Sequence, residues 1–106
     1  MITGKYSQKK IEKDIINIIS IISKYLDINS TKVFFFGSRV YGIKNDRSDI
    51  DIGIEYKNKI NLRILSKIRE DIDDLNILYT IDLVDFKDVS ENFKTVALKK
   101  IIQING

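Results

Sequence analysis

The chain has no cysteine and no histidine among its 106 residues. The first absence removes disulfides, thiolate nucleophiles and zinc–thiolate sites, and the second removes imidazole bases and the Ser–His pair. Whatever chemistry the protein performs must use carboxylates, hydroxyls, lysine, arginine and backbone groups. The Asp and Glu oxygens that remain are hard ligands, which suit magnesium, manganese or calcium. Long hydrophobic runs are also lacking. The most apolar stretch, "IINIISIIS" at 15–23, is interrupted by Asn17 and Ser20, is too short to span a bilayer, and carries no small-residue cleavage pattern. The expectation is a cytoplasmic protein with no membrane partner. Charge of one sign is scarce too. Against 15 acidic side chains stand 18 basic ones, a formal net charge of +3, and Lys and Arg are dispersed instead of gathered into a block. That is a mild bias toward anionic partners and no strong nucleic-acid signal.

What is present is ordinary for a folded protein: 43% apolar and 31% charged residues. The length fits a single domain, 1–106, with one core, so a second substrate-holding domain would have to belong to another molecule. No internal repeat, linker or low-complexity segment is visible.

Periodicity gives the layout. From Ser7 to about Asp27, Ile11, Ile15, Ile18, Ile19, Ile22, Tyr25 and Leu26 recur at helical spacing, with Lys13, Asn17, Ser20 and Lys24 opposite. "KVFFF" at 32–36 reads as a buried strand ended by glycine, and "DIDIGIEY" at 49–56 alternates with the period of a second strand. Leu62, Leu65, Ile68, Ile72 and Leu75 predict a second long helix, with an Arg69–Asp73 pair at i,i+4. "ILYTIDLVDF" at 77–86 reads as a third strand, and 90–106 as a closing helix with Ser90 as N-cap, Lys99 and Lys100 complementing its negative end. The predicted fold class is α/β (α+β): a small mixed β-sheet of about three strands, covered by helices mainly on one side.

Two aspartates, Asp49 and Asp51, stand one residue apart in that isoleucine-rich second strand. An unpaired carboxylate buried on a sheet face is costly, so these must be solvated, paired with cations or bound to metal. Residues i and i+2 of a strand point the same way about 6.5–7 Å apart, and a neighbouring strand lies about 4.8 Å away. If the third strand pairs beside the second, Asp82 or Asp85 can join the cluster. Three carboxylates on one patch repel unless a divalent cation lies between them, and two magnesium ions about 3.5–4 Å apart would fit. Before them, "FFFGS" ends a strand in Gly37-Ser38, where backbone N–H groups and a hydroxyl are ready for phosphate oxygens. Arg39, Lys44 and Arg47 follow in the same loop and could neutralise triphosphate charge. A phosphate cradle beside a hard-metal cluster is the equipment of phosphoryl or nucleotidyl transfer.

"FGSRVYG" followed by "SDIDI", with ten residues between Ser38 and Asp49, resembles the signature of the minimal nucleotidyltransferase (MNT) proteins of the DNA polymerase β-like superfamily, and "YTIDLVDF" resembles their third motif. Gly-Ser or Asp-x-Asp alone is weak; their conjunction carries the likeness. The resemblance implies a polymerase β-like nucleotidyltransferase core that transfers a nucleoside monophosphate from a triphosphate with Mg2+, two ions, held by three acids. It assigns Gly37 and Ser38 to the triphosphate, where the loop's Arg39 is the added nucleotide-binding candidate, and Asp49, Asp51 and a third acid to metal and catalysis. That third acid is taken as Asp82, flanked by Ile81 and Leu83, with Asp85 on the other face if the strand stays regular. Proline, common before the family's Asp-x-Asp, is replaced here by "KNDRS". Several such proteins, the MntA-type antitoxins, adenylylate a tyrosine of a HEPN-type ribonuclease toxin encoded by the adjacent gene. The expectation is therefore an adenylyltransferase that uses ATP and acts as an antitoxin. The alternatives are an antitoxin that neutralises by binding alone, and nucleotidyl transfer to RNA or a small molecule.

Overall fold

The computed structural model describes residues 8–37, 50–77 and 80–105. Helix α1, Gln8–Tyr25, leads through a short 3-10 turn at Ile28–Ser30 into strand β1, Lys32–Phe36. Strand β2, Ile50–Glu55, helix α2, Leu62–Asp73, and strand β3, Ile81–Asp85, follow. Helix α3, Glu91–Ala97, and a two-residue strand β4, Ile102–Gln103, complete the order. The sheet runs β3-β2-β1-β4, with β2 and β3 parallel and β1 antiparallel to both β2 and β4. It is a mixed sheet, as α/β patterning predicts, with one strand more than expected.

Alternation along the strands separates two faces. Val33, Ile50, Ile52, Ile54 and Leu83 form one face, and α1 and α2 cover it with Ile18, Ile21, Ile22, Leu26, Leu65, Ile68 and Ile72. These side chains are almost wholly buried, each stabilising the fold by about 1.5–3 kcal/mol relative to exposure. The two helices are tied at their ends: Tyr25 Oη donates to Asp71 Oδ2 at 2.6 Å, and Lys24 Nζ lies 3.7 Å from the same oxygen. α2 begins where Asn61 Oδ1 accepts from Arg63 N at 2.8 Å, a cap that replaces one of the missing first-turn partners.

The second face carries Phe34 and Phe36 of β1 with Phe86, which just follows β3; Phe93 and Ala97 of α3 pack on it, with Val89 before the helix and Leu98 and Ile101 after it. Phe86 stands edge-on to Phe34 and Phe36, at 4.9 and 5.0 Å between ring centres. Gly53 of β2 makes this possible, because a Cβ there would sit 2.6 Å from Phe34 Cζ and Phe86 Cε1. Ser90 caps α3, its Oγ accepting from Phe93 N at 3.1 Å, as the sequence predicts. Lys94 of α3 pairs with Glu55 of β2 at 3.4 Å, both half-buried, which pins the helix to the far end of the face.

The closing helix is shorter than its apolar spacing predicts. α3 ends at Ala97, and the β-branched run that follows forms β4 against β1. Backbone satisfaction explains the choice: β1 has a free edge, and a strand there fills it. Ile104 N donates to Val33 O at 2.9 Å, while Asn105 accepts from Val33 N at 2.8 Å and donates to Thr31 O at 2.7 Å. Lys99 and Lys100 therefore lie past the helix, in the turn toward β4. The third strand is also shorter than 77–86, and residues 78 and 79 lie outside the described residues.

Candidate active site

Three of the residues singled out in the sequence meet at one end of the second face. Asp51 of β2 is opposite Phe36 of β1 on one side and level with Asp82 of β3 on the other. Directly registered residues of neighbouring strands share a face, so the two carboxylates stand side by side at about the 4.8 Å strand spacing. Asp51 is half-buried and Asp82 exposed. Two carboxylates this close, one of them open to solvent, favour a cation between them.

Gly37, the residue after β1, closes the group. Its φ is +76°, in the left-handed region that glycine occupies without steric cost. A Cβ at this position would collide with Asp51 Oδ2 and lie 3.2 Å from Asp51 Cγ. Glycine is thus required twice, for the backbone angle and for the approach of the Asp51 carboxylate. The donor set is all hard oxygen, which fits magnesium. Among the described residues no group of three potential ligands forms. Asp49, Ser38 and Arg39 lie outside the described residues, as do Tyr41, Lys44 and Arg47.

Asp85 has a different position. It is level with Ile54, on the face covered by α1 and α2, and only 5% exposed. Its two oxygens accept from Ile60 N and Lys87 N, each at 2.9 Å, so it organises the turns around the end of β3. A buried carboxylate with both oxygens engaged by backbone N–H groups is a structural anchor.

Two features were not read from the sequence. Arg69 does not pair with Asp73; its Nη2 donates to Leu83 O at 2.8 Å, on the outer edge of β3. A long cation one helical turn from an acid predicts the local pair, and nothing local signals an edge carbonyl brought close by folding. Asp14 of α1 is 8% exposed, its Oδ2 buried without a hydrogen-bond partner among the described residues, in a cleft with Ile18, Phe35, Ile50 and Ile81. Burial pushes its carboxyl above the ordinary value of 3.8.

Residues 16–105 match the family described as "Polymerase beta, Nucleotidyltransferase". The chain is similar to the probable protein adenylyltransferase MntA of Haemophilus influenzae, 26% identical over 99 residues that span 93% of this chain and 86% of that protein. Its fold is similar to that in a crystal structure of a toxin–antitoxin MntA–HpeT mutant, with a TM-score of 0.68, 17% identity, and coverage of 87% of this chain and 72% of that one. It is also similar to a structure of tri-AMPylated Shewanella oneidensis HEPN toxin in complex with MNT antitoxin, with a TM-score of 0.58, 19% identity, and the same coverage, 87% and 72%. At these identities the structural likeness is one of fold, and it agrees with the mixed sheet. A family match that runs from the middle of α1 to the last described residue leaves no ambiguity of class: the chain belongs to the polymerase β-like nucleotidyltransferase family.

Proposed function

We propose that this nucleotidyltransferase moves AMP from ATP to a tyrosine hydroxyl of a HEPN-type partner toxin, with magnesium, and thereby acts as the toxin's antitoxin, as a single-domain cytoplasmic enzyme. The observation that carries the reading is the register of Asp51 with Asp82 beside the left-handed Gly37. The partner comes from the similar proteins: one is a probable protein adenylyltransferase, and another is an MNT antitoxin in complex with an AMPylated HEPN toxin. In line with this, no helix among the described residues is long and apolar enough to cross a membrane.

In this reading Asp51 and Asp82 hold the metal together with Asp49, and Gly37 with Ser38 and Arg39 receives the triphosphate. When bound, magnesium supplies neutralisation of the triphosphate and of the leaving pyrophosphate. The chain's own groups do the rest. Gly37 leaves room for the Asp51 carboxylate to lie against the backbone where the triphosphate is received. The acceptor hydroxyl oxygen attacks the α-phosphorus and forms a P–O bond. The bond from that phosphorus to the bridging oxygen of the β-phosphate breaks, and pyrophosphate leaves with the electron pair. The hydroxyl proton passes to the carboxylate of Asp82, which is exposed and has no hydrogen-bond or ion-pair partner among the described residues.

Incubation with labelled ATP, magnesium and the HEPN protein should label that protein. Asp51→Asn and Asp82→Asn should each abolish labelling while the chain stays folded. Labelling that survives both substitutions would refute the assignment. Neutralisation of the toxin by the unlabelling variants would favour an antitoxin that acts by binding alone.

A further inference from the structure

The second face holds an open aromatic ring that the carboxylate pair does not use. Phe34, Phe36 and Phe86 are buried, but Phe93 of α3, which rests on Phe36 and Phe86 at 6.0 and 5.8 Å between ring centres, is 42% exposed. Its plane makes angles of 81° and 55° with those two rings, so neither stacks on it face to face. Val96, three residues on and so on the same side of the helix, is 62% exposed. The two form an apolar strip.

Register places that strip beside the site. Phe36 is opposite Asp51, and Phe86 lies over Gly53, where a Cβ would meet its ring at 2.6 Å. Gly53 and Asp51 are two residues apart on β2 and point the same way, about 6.5–7 Å from each other. Phe93, against both phenyl rings, therefore stands about one row of side chains from the Asp51–Asp82 pair, on the same face. Other large apolar side chains exposed among the described residues lie elsewhere: Ile16 and Leu62 on the helices that cover the first face, and Ile102 on β4. When the α-phosphorus of a nucleotide is held at the carboxylates, one ribose separates it from its base, and the surface at that separation is the strip of α3.

We infer that Phe93, with Val96 beside it, forms the wall against which the nucleobase of the triphosphate stacks. This rests on the nucleotidyl-transfer reading of the site and adds to it a residue that sets specificity. A ring face accepts any base, because every base has a π-face, and it holds the larger face of a purine more tightly. Buried Phe36 and Phe86 beneath Phe93 keep its ring in place, and the metal pair fixes the other end of the nucleotide.

The test separates the base from the phosphates. Phe93→Leu keeps an apolar side chain against Phe36 and Phe86 and removes the ring, and Phe93→Trp keeps a ring; thermal unfolding gives the folded fraction of each. With the HEPN protein as acceptor, Phe93→Leu should raise the KM for ATP about tenfold, equivalent to about 1.4 kcal/mol, with the KM for the HEPN protein unchanged, and Phe93→Trp should stay near the wild type. Inorganic triphosphate with magnesium has no base, so it should inhibit the wild type and Phe93→Leu at the same Ki. Leu62→Ala, on the helix that covers the first face, should leave every constant unchanged. A wild-type KM for ATP in Phe93→Leu, an equal rise in the Ki for triphosphate, or a rise confined to the KM for the HEPN protein would overturn the inference, the last by making the strip a protein-docking surface. No labelling by the wild-type chain would overturn the nucleotidyl-transfer reading itself and the inference with it, an outcome distinct from the others.

Discussion

Substituting Gly37 by alanine separates the geometric account of the site from a merely compositional one. At φ +76° any residue with a Cβ is strained, and the left-handed conformation costs about 1–2 kcal/mol. The added methyl also meets the Asp51 carboxylate, whose Cγ would be only 3.2 Å away. Either the backbone or the carboxylate must give, and the carboxylate is the softer of the two. Moving it off its rotamer costs about another 0.5–1.5 kcal/mol. Stability should therefore fall by about 1.5–3.5 kcal/mol, the sum of these two terms, read from urea unfolding. The effect on rate is larger, because a displacement of about 1 Å in a reacting group costs about 10²-fold. Labelling of the HEPN protein, per folded molecule, should drop by about that factor. Gly53→Ala is the matched control. It overpacks the Phe34–Phe86 contact and costs about 1–3 kcal/mol, but it leaves Asp51 against Gly37, so the rate per folded molecule should hold. A Gly37→Ala protein with wild-type rate, or a Gly53→Ala protein with an equal catalytic loss, would refute the reasoning.

Asp85→Asn removes one of two acceptors from a buried anchor and should cost about 1–3 kcal/mol of stability, with labelling per folded molecule retained; loss of labelling without loss of stability would move the third acidic role to Asp85. Asp14 gives a pH signature. Its folded carboxyl titrates above the ordinary 3.8, so the folded state binds more protons than the unfolded one above that value, and stability falls as pH rises through the window that begins there. Asp14→Leu should be more stable than the wild type at neutral pH and lose that part of the slope; an unchanged slope in urea unfolding would contradict it. Lys94→Met breaks the half-buried pair with Glu55 at the far end of the second face and should loosen α3, with faster hydrogen exchange in residues 91–97 and no change at β2.

The parts of this molecule that the sequence predicts are those set by local period and by a spaced motif. Ile52 and Ile54 alternate with Asp51 and Gly53 in the structure as in the sequence, and helical spacing locates the buried Leu65, Ile68 and Ile72. Alternation also puts Asp82 and Asp85 on opposite faces, which the β2–β3 register reproduces. The tail was misread because Ile101, Ile102 and Ile104 fit a helix as well as a strand, and the free edge of β1 that decides between them is a tertiary fact. Arg69 illustrates the same limit: its i,i+4 acid was visible, and the Leu83 carbonyl that takes its guanidinium was not. Nothing local in the sequence signals why position 53 is glycine; the reason, two phenyl rings packed across it, needs the fold. Asp14 carries no local signal in the sequence, and only packing with Phe35 and Ile50 makes it a buried acid whose Oδ2 has no hydrogen-bond partner among the described residues.

The central claim is that Asp51 and Asp82, brought level by parallel pairing next to Gly37, jointly hold the metal that carries the nucleotide. A crystal structure with magnesium and a non-hydrolysable ATP analogue tests it most directly. The account predicts a cation within about 2.0–2.1 Å of oxygens from both carboxylates, with the triphosphate running toward Gly37. A nucleotide bound elsewhere, or a cation that touches neither aspartate, would contradict it.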